Sequence, residues 1–378
     1  MSDSRIMADV IDWPARAARI ADLVQQSAAA NDADDLFVSE GYAALRSEGF
    51  FTASVPAELG GGGASIRDMC NAIRIIGAAC GSTALAFSMH CHLVATAAWR
   101  WKNEGAPTDK LLRRVADESL ILVSSGGSDW LESGGTAGRV DGGFRINARK
   151  PFSSGSPAAD LLATSAVFDD PEEGPTVLHF VVPLATDGVE LRETWRVMGM
   201  RGTGSNDIVL TDVFVPDAAI TVRRPKGKWH LLFHVISMIA LPLIYSAYVG
   251  VAEGAREQAI AAARKKANDR HLPLLVGAMD NALRGAQLAH RRMAELADGG
   301  APGPETTNEV TSLRTLVAKA AIETVERAMQ VAGGAAFYRS MGLERAWRDV
   351  QAARFHPLQE QAQLDFAGRV ALDWDIDG

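Results

Sequence analysis

The chain has 378 residues, of which 47% are hydrophobic and 22% are charged. That length is roughly two to three times the commonest domain size of about 100–150 residues, so a small disulfide-stapled module is excluded, and the composition excludes a disordered chain. The formal net charge is −8 at pH 7, and the longest basic run is Arg264-Lys265-Lys266. Because binding to a phosphate backbone needs a basic face, we expect no nucleic-acid partner.

The first 118 residues carry a helical pattern. Apolar residues such as Ile73 and Ile76 recur at helical spacing within an alanine-rich stretch. The one early break, at residues 55–63, contains four consecutive glycines that permit positive φ. The break predicts either a flexible connector or a loop that faces a ligand, within an N-terminal helical domain at residues 1–118.

Residues 119–226 change to the period of β-strands. Asp141-Gly142-Gly143 is the strongest hairpin signal, and residues 169–175 predict a second chain reversal. Strands are predicted at residues 120–123, 144–147, 161–168, 177–182 and 208–215. Several short strands without helices between them predict a central antiparallel sheet or barrel.

Residues 227–378 return to the helical period. Spacings of three and four residues between Val310 and Met329 predict one long amphipathic helix, which Gly333-Gly334 ends. Residues 299–304 predict a loop between two helices of a C-terminal bundle. The order of helices, strands and helices indicates an α+β fold.

Residues 231–252 are long and apolar enough to resemble a membrane-spanning helix of about 20 residues. Polar side chains such as His234, Ser237 and Tyr248 interrupt the segment, so we expect a central helix of the bundle and no membrane partner. The cysteines are odd in number and form no CxxC pair, and the N-terminus carries no apolar core of a secretory signal. Both features predict a cytoplasmic protein.

Common catalytic motifs are absent from the sequence. Neither GxxxxGK[ST] nor GxSxG occurs, and Gly202-Thr203-Gly204 lacks the third glycine of a dinucleotide fingerprint. His90 and His92 are two residues apart, which places them on different faces of a helix, so we expect no metal site. Either histidine is by default a buried residue with hydrogen-bond partners, although a histidine in a cleft can act as a base near neutral pH.

Five segments nevertheless form an ordered set of motifs. They are Ser82-Thr83-Ala84-Leu85-Ala86 before His90, Gly127-Ser128-Asp129, Lys150-Pro151-Phe152-Ser153-Ser154-Gly155, residues 198–205 with 212–216, and residues 330–334 with Leu343-Glu344-Arg345 and Arg348-Asp349. Together they resemble the acyl-CoA dehydrogenase superfamily of flavoproteins from Ala43 to Leu372. The resemblance implies an N-terminal helical domain, a central antiparallel β-barrel domain and a C-terminal four-helix bundle.

The same resemblance implies a site for FAD or FMN. Phe152 stands in the family's tryptophan position, as an aromatic wall for the flavin ring. The matched donors for the ring edge and the phosphates are Ser125, Ser128, Ser153 and Ser154. Arg264, Gln330, Gly333 and Gly334 match elements that approach a neighbouring subunit's cofactor in the family, which implies a homo-oligomer, the tetramer of the family.

The glutamate that acts as the base in the dehydrogenases is missing from its expected place. An ungapped count from Arg348-Asp349 puts Pro357 there, and proline is not a base and has no N–H to polarise a thioester carbonyl. A gap would bring Glu360 into the position instead. Although Pro357 takes the place of the glutamate, the resemblance implies an oxidoreductase acting on an acyl-CoA or a similar apolar substrate, with an electron-transfer flavoprotein as a partner.

A second interpretation is a two-component flavin monooxygenase, which uses O2 and reduced flavin from a partner reductase. The Arg264-Lys265-Lys266 segment lacks the Phe-Gly that grips pyrophosphate in the dehydrogenases, which fits a flavin that arrives already reduced. His92 or His356 is then the candidate catalytic residue. A third interpretation is a non-catalytic paralogue, and the sequence leaves all three open.

Overall fold

The computed structural model describes residues 11–125, 127, 129–266 and 269–377. Its N-terminal part contains five α-helices. Two of them begin at side-chain caps: Asp12 accepts a hydrogen bond from the Ala15 N–H, and Ser65 forms a capping box with Asp68. The helices are α1 (Trp13–Ala33), α2 (Ser39–Ser47), α3 (Ile66–Ala79), α4 (Gly81–Glu104) and α5 (Asp109–Glu118).

The glycine-rich break between α2 and α3 is a packed turn. A Cβ atom added at Gly62 would lie 2.6 Å from the ring of Trp13, so a larger residue would collide with α1. Of the two expectations for residues 55–63, the flexible connector is therefore wrong, because the turn is anchored on the helical core.

The central part is one eight-stranded sheet in the order β6-β7-β3-β2-β4-β5-β8, with β1 beside β4. The predicted hairpin joins β2 to β3, with Val140 opposite Gly143, and β4 pairs with β5 from Leu161–Pro183 to Asp170–Gly174. The strands are β1 (Leu122–Ser124), β2 (Thr136–Val140), β3 (Gly143–Ser153), β4 (Leu161–Asp170), β5 (Gly174–Pro183), β6 (Val189–Arg192), β7 (Asn206–Pro216) and β8 (Val222–Pro225).

The sheet is mixed, whereas the pattern of short strands predicts an antiparallel one. Both β1 and the first residue of β2 pair with β4 in parallel. A strand can pair in parallel when a longer connection separates the two strands, and the β2–β3 hairpin supplies that connection between β1 and β4. The remaining pairings are antiparallel.

The described residues of the C-terminal part form the helices α6 (Leu231–Ala263), α7 (Leu272–Gly299), α8 (Pro304–Ala332), α9 (Leu343–Val350) and α10 (Glu360–Ala371). By length and composition α6 could cross a membrane, but 94% of its most apolar window is buried inside the protein. The same helix is the central element of the core, packed by α3, α4, α7 and α8. Gly333, with φ at +68°, ends α8 as predicted.

Two of the sequence motifs meet where the sheet contacts the bundle. The Met200 N–H donates to Asp349 Oδ1 over 2.5 Å, and Arg348 Nη1 donates to the Met198 carbonyl over 2.9 Å. A Cβ atom at Gly199 would lie 2.3 Å from the Arg348 carbonyl oxygen, so only glycine allows this approach. The contact fixes the position of the sheet relative to α9 and to the loop that follows it.

Candidate functional site

His90 and His92 lie two residues apart on α4 and have different surroundings. His90 uses both ring nitrogens, since Nε2 donates to the Phe51 carbonyl over 2.7 Å and Nδ1 accepts from the Leu122 N–H over 3.1 Å. His92 is 8% exposed, and its Nδ1 is buried without a hydrogen-bond partner among the residues that the structure describes. His90 is therefore a structural residue, and His92 retains an unused polar atom.

His356 lies in the loop between α9 and α10, and Tyr248 on α6 determines its tautomer. The Tyr248 hydroxyl is fully buried and lies 2.5 Å from His356 Nε2. If Nε2 carried the proton, the hydroxyl hydrogen would remain buried without an acceptor among the described residues. The satisfied arrangement has Tyr248 donating to Nε2, which leaves the ring proton on Nδ1.

The backbone of the same loop is held by buried groups. The Arg314 side chain is 1% exposed and donates through Nη2 to the carbonyl oxygens of Ala353, Arg354 and His356 at 3.3, 3.4 and 2.5 Å. The Tyr245 hydroxyl donates to the Ala353 carbonyl over 2.6 Å. These hydrogen bonds go to backbone carbonyls of the loop and do not involve the Nδ1–H of His356.

Both candidate histidines are neutral at pH 7. Burial lowers the pKa of His92 to about 4, with a smaller contribution from His90. Burial also lowers the pKa of His356 to about 3, followed by the charges of Arg314 and His92. No carboxylate of the described chain is among the groups that act on His356, so the site offers neutral hydrogen-bonding imidazoles.

A buried ion pair shapes the loop between β1 and β2. The Lys150 side chain is fully buried and donates to Asp129 Oδ2 and to the Gly134 carbonyl, each over 2.7 Å. Ser125 donates to the same carboxylate and lies 3.1 Å from the Thr164 hydroxyl. Burial lowers the pKa of Lys150, while Asp129 opposes that shift. The pair fixes the loop through its own side chains, because a buried charge needs such partners.

This loop touches the loop that carries His356. A Cβ atom at Gly127 would lie 2.9 Å from the Pro357 ring. Gly127 of the predicted flavin motif and Pro357, at the position of the missing glutamate, therefore meet in space. The predicted donor Ser128 lies outside the described residues.

Phe152 and Ser154 lie at the end of β3, beside a register shift between Lys150 and Ser153 that adds one residue to the strand. Phe152 has φ at +60°, is 55% exposed and contacts Trp195 edge-on at 6.0 Å between ring centroids. The Ser154 hydroxyl lies 2.8 Å from that of Ser205. Strained backbone at an exposed aromatic ring is typical of a functional position.

Ser153 faces the interior instead. Its side chain is fully buried and donates to the Lys150 carbonyl. The expectation that this hydroxyl contacts a flavin is corrected, because the register shift turns Phe152 outward and its neighbour inward.

The remaining cofactor candidates lie together at one end of the bundle. Gln330, Gly333, Gly334 and Arg264 are exposed. Lys266 Nζ donates to the Ala332 carbonyl over 2.8 Å, which links the end of α6 to the end of α8. The surface nearby exposes 87% of Phe337 and 70% of Tyr338.

The structure does not bring Glu360 to the position at which the catalytic base is expected. It is the first residue of α10, is exposed, and pairs with Lys319 on α8. It lines an open surface groove of about 280 Å³ together with Arg354 and Lys319. The gap that would move Glu360 into the glutamate's position is therefore unsupported, since the helix start turns the carboxylate towards α8.

These elements suit a flavin in two respects. Phe152 offers an exposed aromatic face, Ser125 is bonded to Asp129, and Gly127 lies against Pro357 in the loop of His356. A flavin would be held by Ser125, Gly127, Phe152 and Ser154, and it would supply redox chemistry beside His356. The fold and the site together define the class of flavin-dependent oxidoreductases.

Comparisons with known proteins identify the family. Models of the N-terminal, middle and C-terminal domains of acyl-CoA dehydrogenase match residues 16–118, 124–213 and 235–361. The chain is 28% identical to YdbM, a proposed acyl-CoA dehydrogenase of Bacillus subtilis (strain 168), over 93% of this chain and 94% of that protein. It is 30% identical to a pigment production hydroxylase of Rhodococcus erythropolis, over 61% of this chain and 67% of that protein.

A solved structure of KijD3 with FMN and a dTDP-linked amino-keto sugar superposes with a TM-score of 0.88. Its sequence is 25% identical, and the match covers 98% of this chain and 97% of that one. The protein therefore belongs to the acyl-CoA dehydrogenase family and is a flavin-dependent oxidoreductase.

Proposed function

We propose that the protein is a flavin-dependent monooxygenase that oxidises a small organic molecule with O2 and with reduced flavin from a partner reductase. The observation that carries this proposal is the pair His356-Pro357 at the contact with Gly127. A dehydrogenase needs a carboxylate there, and this chain has a neutral histidine and a proline. The hydroxylase relative and the FMN-bound KijD3 support the same assignment.

The two histidines divide the proton handling in this proposal. When bound, reduced flavin would supply the two electrons that, with two protons, let one oxygen atom of O2 enter the substrate and the other leave as water. His356 donates a hydrogen bond from Nδ1 to an oxygen in the site, because Tyr248 occupies Nε2. His92 accepts a proton or hydrogen bond at its unpartnered Nδ1.

The flavin is held by Ser125, Gly127, Phe152 and Ser154. Arg264, Gln330, Gly333 and Gly334 are proposed to reach the cofactor of a second copy, because they form an exposed group at the end of the bundle. The protein would then act as a homo-oligomer, in the cytoplasm, where reduced flavin is available.

Incorporation of oxygen from O2 into a product tests this proposal. The protein is mixed with FMN, NADH and a flavin reductase, and a panel of alcohols, phenols and amines is searched for a product heavier by one oxygen atom from ¹⁸O2. His356→Asn should lower product formation at least tenfold, since a positioned proton donor or acceptor contributes about 10²- to 10⁴-fold. His271→Asn is the matched control, because His271 is exposed at the start of α7.

The competing dehydrogenase has its own readout. Butyryl-CoA and octanoyl-CoA are added without oxygen to the protein loaded with oxidised FAD or FMN. Loss of the flavin's visible absorbance on addition of either thioester would contradict the proposal. An unchanged spectrum, with ¹⁸O in the product of the first assay, is the expected result.

A further inference from the structure

Four buried polar atoms around α4 and α6 lack hydrogen-bond partners among the described residues. They are His92 Nδ1, Thr96 Oγ1, Ser237 Oγ and Trp130 Nε1. The side chains of His92, Thr96 and Ser237 belong to residues only 8%, 8% and 1% exposed. Buried polar groups are nearly always paired, so a cluster of unpaired ones calls for a partner that is not part of the chain.

The helices bring these atoms to one level. A Cβ atom at Gly81 would lie 2.7 Å from Val251, so the start of α4 faces the second half of α6. At the other end, the charges of Arg100 and Glu104 act on His230, so the helices run antiparallel. Thr96 lies about four turns beyond Gly81, and Ser237 about four turns before Val251.

Counting helical turns also shows which side of α4 and of α6 each residue occupies. A whole number of turns returns a residue to the face from which the count starts. His92 lies about three turns beyond Gly81 and therefore also faces α6, as Thr96 does. The ring of Trp130 lies 5.0 Å from that of Phe233, which is one turn before Ser237 on α6. The four atoms thus line a common stretch of the α4–α6 seam.

We infer that Thr96, Ser237 and Trp130 are substrate-specificity residues that bind, with His92, a hydroxyl or an uncharged amine on a compact substrate. Trp130 Nε1 can only donate, and His92 Nδ1 is the acceptor in the proposed function, so the matching group must both accept and donate. A charged group is disfavoured, because burial keeps His92 neutral and the other three side chains carry no charge. An acyl chain would leave all four atoms unpaired.

This inference deepens the proposed monooxygenase and rests on it for the reaction, but its test needs no turnover. The variants are Thr96→Val and Ser237→Ala, which remove the hydroxyls with little change of shape. Ser88→Ala is the matched control, because Ser88 is a fully buried α4 residue whose hydroxyl already donates to the Leu85 carbonyl over 2.7 Å.

The first measurement is thermal unfolding of each protein without added ligand. Removing an unpaired hydroxyl should leave the melting temperature of Thr96→Val and Ser237→Ala unchanged or higher, while Ser88→Ala should melt at a lower temperature. A fall in both test variants as large as that of Ser88→Ala would show that the hydroxyls already have partners such as buried water, and it would overturn the inference.

The second measurement is calorimetric titration of the protein loaded with oxidised FMN, repeated without FMN. Phenol, aniline and toluene are the probes, since toluene has the shape of the other two without the polar group. The wild type and Ser88→Ala should bind phenol or aniline at least tenfold more tightly than toluene, and Thr96→Val with Ser237→Ala should bring that ratio close to one. Equal binding of all three probes, an unchanged ratio in the double variant, or no binding at millimolar concentration would overturn the inference. None of these outcomes depends on O2 or on the reductase, so a failed monooxygenase assay remains a separate result.

Discussion

Replacing Tyr248 by phenylalanine removes the one hydroxyl of the described residues that contacts His356 Nε2. Tyr248 is fully buried, and its oxygen lies 2.5 Å from that nitrogen. In the variant, Nε2 either remains an acceptor without a donor or takes the ring proton and points it at a phenyl ring. Both states leave a polar nitrogen unsatisfied, so His356 loses the fixed tautomer that makes Nδ1 a donor.

The magnitude follows from the burial of the pair. Leaving one buried polar group unsatisfied costs about 1–3 kcal/mol, so Tyr248→Phe should lower the free energy of unfolding by that amount. If the Nδ1–H of His356 is required in the transition state, kcat/KM for the monooxygenase reaction should fall by about 5- to 150-fold, at about 1.36 kcal/mol for each factor of ten.

Tyr245→Phe is the matched control on the same helix. Tyr245 is equally buried, but its hydroxyl donates to the Ala353 carbonyl over 2.6 Å and contacts no ring nitrogen of His356. It should lose about 0.5–1.5 kcal/mol of free energy of unfolding, since the Ala353 carbonyl loses one hydrogen bond but keeps the one from Arg314. Arg314 still holds that loop, so kcat/KM should change much less.

The assay combines urea unfolding with ¹⁵N NMR of the histidine ring, which separates a protonated nitrogen from an unprotonated one. Wild type and Tyr245→Phe should show His356 with the proton on Nδ1, and Tyr248→Phe should show a mixture of tautomers. If Tyr248→Phe keeps a single Nδ1–H tautomer and full kcat/KM, the hydrogen bond does not position His356, and the reasoning fails.

Three further predictions concern other buried groups. Asp129→Asn leaves Lys150 buried without a carboxylate and should cost about 3–5 kcal/mol in urea unfolding, whereas Asp129→Leu with Lys150→Met should recover most of that loss; equal losses in both would contradict the buried pair. Burial raises the pKa of Asp349 to about 6, so the folded state binds more protons than the unfolded state between about pH 4 and 6 and stability falls as pH rises through that window. Asp349→Asn should therefore exceed the wild type in stability at pH 8, with an advantage that shrinks towards pH 4, and a constant difference would refute the shift. Burial lowers the pKa of His90 to about 4, so a proton is taken up on unfolding between about pH 6.5 and 4. As the pH falls through that window, the free energy of unfolding should fall by up to about 1.36 kcal/mol per pH unit from this residue alone. Urea unfolding of His90→Gln at a series of pH values should show a shallower slope.

The local order of the fold is readable from the sequence alone. Helical periods on either side of a β-rich stretch predict the α, β, α arrangement, and Asp141-Gly142-Gly143 and Gly333-Gly334 mark a hairpin and a helix end that the structure contains. These features depend on residues within a few positions of one another, such as a glycine that adopts positive φ. The parallel pairing of β1 with β4 is not of this kind, because Leu122 and Leu161 become neighbours only when the whole hairpin between them has folded.

The site divides in the same way. His92 and His356 can be selected from the sequence because few residues titrate near neutral pH, and the count from Arg348-Asp349 reaches Pro357. The donor that orients His356 lies 108 residues away, and the arginine that holds its backbone lies 42 residues away. No local pattern marks either of them.

Glu360 illustrates the limit most directly. It is three residues from Pro357 in the chain, yet α10 starts there and turns its carboxylate towards Lys319. The sequence by itself determined the order of the helical and β-rich regions and which side chains can carry chemistry. Only the tertiary structure decided which of them meet, because packing of α4, α6, α8 and the β1–β2 loop sets burial and partners over separations that no periodicity encodes.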